Sequence, residues 1–143
     1  MATVATHSGV RFAAQVPAEL SALAGARDAL AGALHECEWS QEDAFRVLIC
    51  ADEAMANALS HGSGPAGTIA VRFRVGATAA ALAIGDECTD QVHIPQDAAV
   101  PDDTSEHGRG VILIRALADA FRIQRSRAGT MVALAFRTAE GCA

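Results

Sequence analysis

The chain contains no lysine; all 11 of its Lys-plus-Arg residues are arginines. That excludes a Walker-type phosphate loop, whose lysine reaches the phosphates, and any chemistry through a lysine Schiff base. Tyrosine is absent, tryptophan occurs once, and aromatics are only 4% of residues. The core must therefore be aliphatic and alanine-rich, with closely packed helices. The four cysteines, Cys37, Cys50, Cys88 and Cys142, form no CxxC pair, which argues against a zinc site or a disulfide framework. Cys37 and Cys50 fall in helical patterns and read as small core residues. No apolar run approaches the ~18 residues of a membrane span, and no signal peptide is visible. The expected compartment is the cytoplasm, with no membrane partner. Positive charge is in deficit, at a net −6, which disfavours general binding to nucleic acid. Within that deficit, Arg109, Arg115, Arg122, Arg125, Arg127 and Arg137 give the C-terminal third a basic bias.

What is present suits one folded domain: 143 residues, 51% hydrophobic and 20% charged. Residues 1–9 are small and polar and are expected to form a flexible N-terminus; 138–143 read as a C-terminal tail. Between them, residues 10–16 alternate as a strand, and Pro17 suits the first turn of a helix over 18–37. Ser40 resembles an N-cap with Asp43 as its capping-box partner, opening a long helix over 41–61. Residues 68–75 and 79–85 form a hairpin turned at Gly76-Ala77. Residues 87–107 show no period, contain two prolines and many acids, and read as a long functional loop or lid. Residues 108–120 form an apolar helix opening on glycines. A last hairpin, 121–127 and 130–137, turns at Ala128-Gly129. This order predicts an α+β fold: a two-layer sandwich with a mixed, mostly antiparallel sheet and helices on one face.

Three motifs carry chemistry. Glu53, Asn57 and His61 are spaced four apart on the long helix, so they form one column, with the small residues Cys50, Ala54 and Ala58 beside it. Ala44, Leu48, Ala51, Met55 and Leu59 make an apolar stripe on another face. A carboxylate can act as a base, and an amide oxygen is a hard ligand suited to Mg²⁺; the same column would also serve as a solvated polar face. Asp86 closes the motif Leu82-Ala-Ile-Gly-Asp86 at the end of the apolar strand 79–85, where its carboxylate can accept from an exocyclic amine such as adenine's, or simply form a turn. Gly108-Arg109-Gly110 opens a helix, whose free N–H groups and positive dipole end suit an anion; it also reads as a hinge.

In order and spacing together, these motifs resemble the N, G1 and G2 boxes of the GHKL (Bergerat-fold) ATPases. E-x-x-x-N-A-x-x-H-G at 53–62 followed by GRGxxLI at 108–114 looks like the anti-sigma factor serine-kinase branch. The likeness covers residues about 10 to 137, a histidine-kinase-like ATPase domain, and includes Gly129-Thr130 before the last strand. It implies Glu53 as general base, Asn57 as the ligand of Mg²⁺, and Asp86 as the adenine contact with Thr130 supporting it. Gly108, Arg109 and Gly110 would hold the phosphates; His61 is assigned no role. The implied cofactors are ATP and Mg²⁺, and the implied partners a sigma factor and an anti-anti-sigma (STAS) protein that carries the phosphorylated serine. A homodimer is implied too. One departure stands out: the usual D-x-G reads Asp86-Glu87-Cys88, with Gly85 before the acid instead. Two further readings follow, a partner-binding switch without phosphotransfer and the ATPase piece of a histidine kinase.

Overall fold

The computed structural model describes residues 4–6, 9–60, 67–85, 106–126 and 129–139, the backbone alone at 4–6, 106–111, 125–126 and 129. The elements are β1 (Val4–Thr6), β2 (Gly9–Pro17), α1 (Leu20–Glu36), α2 (Gln41–Ser60), β3 (Thr68–Val75), β4 (Ala79–Gly85), α3 (Glu106–Leu117), β5 (Ala120–Ser126) and β6 (Gly129–Arg137). One six-stranded sheet runs β1-β2-β3-β4-β6-β5. Among the described residues every ladder is antiparallel. β4 and β5 therefore point the same way, linked through α3, with β6 inserted between them. The fold is α+β, as the strand and helix patterns predict.

Alternation along the strands decides which face meets the helices. Register aligns Phe12, Phe73, Leu82, Leu134 and Phe121 in one row across five strands. The rings of Phe12 and Phe73 stack with centroids 4.8 Å apart and planes 4° from parallel. Val10, Val71, Val75, Ile84, Val132 and Phe136 extend the same buried face. Against it α1 buries Leu23, Ala26, Leu30, Ala33 and Leu34. The buried face of α2 is Val47, Cys50, Ala51, Ala54, Met55 and Ala58. That face is rotated from the expected stripe: Ala44, Leu48 and Leu59 are only partly buried, while the small residues sit deepest. Small side chains are what allow helix and sheet to approach closely, and each buried Leu or Val still contributes roughly 1.5–3 kcal/mol.

Three local expectations change. Val4–Thr6 is a strand paired to residues 9–11, so that part of the N-terminus is ordered by a hairpin. Pro17 ends β2 opposite Thr68 instead of starting a helix, and Glu19 takes the N-cap position of α1. At α2, Ser40 Oγ does accept from the Asp43 N–H at 3.1 Å. The Asp43 carboxylate, however, serves more than the cap: besides its side-chain hydrogen bond with Ser40 it accepts from Ala139 N at 3.2 Å and from Arg46 Nη2 at 2.9 Å. Trp39, buried between α1 and α2, donates through Nε1 to Gly76 O at 2.7 Å and pins the helix junction to the β3–β4 turn. No helix among the described residues is long and apolar enough to cross a membrane.

Candidate functional site

The course of α2 relative to its neighbours places the motifs. Arg46 lies near the start of α2, and its Nη1 donates to Leu117 O, at the end of α3, at 2.7 Å. The two helices pack against each other, and the ends joined are the start of α2 and the finish of α3, an arrangement in which α3 runs back along α2. Asn57 lies about 16 Å of helical rise beyond Arg46, and Gly108 about 14 Å back from Leu117. The first turn of α3 thus comes to the end of α2 that carries Glu53 and Asn57. β4 reaches the same end. It begins beside the Trp39 anchor at the start of α2 and runs along that helix. Its last residue, Gly85, pairs with Met131, which brings Thr130 on β6 to the same edge.

Glu53 and Asn57 are both half-buried on the flank of α2 that also carries Arg46. The opposite flank is tied to α1, where Arg27 Nε donates to Asp52 Oδ1 at 2.8 Å. Glu53 lies close enough to the Cys50 thiol to act on its charge. Burial pushes the pKa of that thiol up to about 11, with Arg46 opposing the rise and Glu53 adding a smaller push. Cys50 is therefore a neutral core residue that separates the site from the sheet, as its position in the helical pattern suggests.

Gly108, Arg109 and Gly110 lie inside α3, which starts at Glu106, two residues earlier than the glycines imply. The amides of Gly108 and Arg109 still belong to the first turn, whose N–H groups have no acceptor within the helix. Glycine inside a helix costs about 1 kcal/mol relative to alanine, so neither glycine serves helix stability. Nor does the whole apolar run after them enter the core: Ile114 is fully buried, whereas Ile112 is 56% exposed.

Gly85, which drew attention only as the residue before Asp86, has a demanding role. A Cβ built there would fall on Thr130 O and 2.8 Å from Met131 Cα. β4 and β6 approach too closely for any side chain at this position. The close approach holds Thr130, a half-buried residue with interactions of its own, against the end of β4. His61, Asp86, Glu87 and Cys88 and the stretch up to residue 105 lie outside the described residues, while Glu106 and His107, expected in the acidic loop over 87–107, open α3 instead.

The sequence patterns missed a polar clasp at the other end of the site. Asp43, Arg46 and Asp119 join the start of α2, the end of α3 and the end of β6. Arg46 Nη2 also donates to Arg137 O at 2.8 Å, Asp119 Oδ2 accepts from Arg137 N at 2.6 Å, and Arg46 Nη1 lies 3.8 Å from Asp119. Burial alone would raise the Asp43 pKa. The Ala139 N–H and the Arg46 guanidinium outweigh it and hold the carboxyl below its ordinary value. Only partners at sequence separations of up to 96 residues reveal this clasp, and no local pattern encodes them.

A model of the family described as "Histidine kinase-like ATPase domain" matches residues 16–136. Among solved structures, the chain is similar to the histidine kinase domain from Erythrobacter litoralis EL346 blue-light activated histidine kinase, at 20% identity and a TM-score of 0.46. That match covers 85% of this chain and 61% of the other. No curated protein matches the sequence.

Proposed function

This chain belongs to the histidine kinase-like ATPase (GHKL) domain family, and from that premise we propose that it is an ATP-dependent protein serine kinase of the anti-sigma type. Its substrate would be a serine on an anti-anti-sigma (STAS) protein, and in its second role it would sequester a sigma factor as a cytoplasmic homodimer. The supporting observation is the half-buried pair Glu53 and Asn57 on the flank of α2 to which α3 brings its first turn. A carboxylate, an amide oxygen and free helical amides at one edge are a donor set that fits Mg²⁺ and phosphate.

ATP would supply the transferable phosphoryl group, and Mg²⁺ would neutralise phosphate charge. In this reading Asn57 Oδ1 holds the metal, and the amides of Gly108 and Arg109 with Gly110 hold the phosphates. Glu53 takes the proton from the serine hydroxyl. Asp86, with Thr130, selects adenine. The acidic stretch over 87–107 would repel phosphate unless a cation were bound.

The test is calorimetric titration with ATP, with and without Mg²⁺. Binding that needs Mg²⁺ and weakens at least tenfold in Asn57→Ala supports the site. Transfer to a STAS protein that Glu53→Gln abolishes, with ATP binding retained, supports the kinase. The second reading is a partner-binding switch without phosphotransfer. It is favoured by Cys88, which stands where the family's D-x-G has its glycine, and by the added negative charge of Glu87. A folded protein that binds no ATP would establish that reading and overturn the kinase.

A further inference from the structure

The side of the sheet turned away from the helices carries a second feature. Register places two rows on it: Arg11, Arg74, Ala81, Ala135, Ala120 and, next to it, Ala13, Arg72, Ala83, Ala133, Arg122. Methyl groups alone make the centre, on β4 and β6. Arg11, Arg72 and Arg74 rise on one side, and Arg122 on the other. These residues line a concavity of about 1500 Å³. From β3 to β5 is three strand spacings, about 14 Å, which admits one α-helix of about 10–12 Å diameter.

The arginines are placed against the interest of the fold. Arg11 and Arg74 are directly opposed on neighbouring strands, and like charges so placed destabilise a ladder. Among the described residues no acid pairs with Arg11, Arg72 or Arg74. Arg27 and Arg46, by contrast, each have a carboxylate. The acid that lines the concavity, Asp119, accepts from Arg137 N and faces Arg46. The chain as a whole carries −6, so this basic patch runs against the general charge.

We infer that the open sheet face is a docking trough for an acidic amphipathic helix of a partner protein, its small-residue side on the alanine floor and its carboxylates on the wall of Arg11, Arg72 and Arg74. The inference does not depend on nucleotide binding, since none of Glu53, Asn57 or Thr130 lines the trough. Single-stranded nucleic acid fits less well: no aromatic side chain among the described residues faces outward here for bases to stack on. A second copy of the chain would set arginine against arginine.

The experiment uses fluorescence anisotropy with a labelled helical peptide of about 16 residues, long enough to span the strands at 1.5 Å per residue. It carries alanine on one face and glutamate on both flanks. A lysine-flanked peptide and a labelled single-stranded oligonucleotide are the controls. The expected result is binding of the glutamate peptide alone, weakened severalfold between 50 and 500 mM salt (about a threefold change in Debye length). Arg72→Glu with Arg74→Glu should weaken it at least tenfold. Arg74→Glu also removes the like-charge opposition with Arg11, so the variant should melt no lower than the parent. If it does melt lower, Arg72→Gln with Arg74→Gln replaces it. Equal binding to parent and variant, no binding of the glutamate peptide, or preference for the oligonucleotide overturns the inference. So does sedimentation showing a dimer that the double substitution dissolves.

Discussion

Gly85 shows how much one hydrogen atom can determine. Its lack of a side chain lets β6 close on β4 where the strand ends, and the next residue is the acid assigned to adenine. Replacement by alanine pushes a methyl group into the Thr130 carbonyl, which is backbone and cannot swing aside. Gly85→Ala is expected to cost about 1–3 kcal/mol, the usual range for overpacking, read as a lower urea midpoint with an unchanged slope. ATP affinity, measured on the folded fraction, should fall with it, because Thr130 moves. An alanine variant as stable as the parent would mean the strands can part there without strain. Cys50 carries the opposite message. Nothing about it suggests chemistry once burial and its raised pKa are seen, although it stands one turn from Glu53.

At the scale of elements, the junction of α2, α3 and β6 hangs on Asp43 and Arg46. Arg46 caps α3 by donating to the Leu117 carbonyl, one of the acceptors a helix end leaves open. Because the folded state holds the Asp43 carboxyl below its ordinary value, the stabilisation is present above the unfolded pKa of ~3.9. It is lost as pH falls through the lower folded-state value. Asp43→Asn should therefore be less stable than the parent at pH 7, by about 1–3 kcal/mol for a broken charged hydrogen bond. The two proteins should converge as pH is taken below 4. Urea denaturation at pH 7 and pH 3 measures both; a gap of the same size at pH 3 would assign the effect to packing instead of charge. The clasp matters for the site because it fixes the far end of α3. The course of α3 along α2 follows from that anchor.

For the whole molecule, the order of the sheet predicts an order of opening. Among the described residues β2, β3, β4 and β6 have partners on both sides, whereas β5 and the short β1 are edges. Amide hydrogen exchange should be slowest in β4 and β6 and faster in β5 and β1. Protection of β5 equal to that of β4 would contradict the topology. The same distinction explains what the sequence made legible. Both hairpins, the three helices and the Glu53–Asn57 column could be read locally, because period and turn residues act over a few positions. Strand order could not, since β6 finds its place by pairing with residues about 50 positions away. Nor could β1, which is three residues long, or the fate of Pro17, which the β3 partner decides. The arginine trough was visible only as a basic bias in composition, because its walls come from β2 and β3 on one side and β5 on the other.

The insertion of β6 between β4 and β5 has a consequence for biosynthesis. On the ribosome the strands emerge in chain order, so β5 appears while its only described neighbour is still being made. Until residue 137 has left the exit tunnel, the nascent chain carries a four-stranded sheet with an open β4 edge and β5 as a lone strand. The domain therefore cannot complete folding until β6 has emerged. The interval before the last strand arrives is when the polypeptide most needs protection by a chaperone.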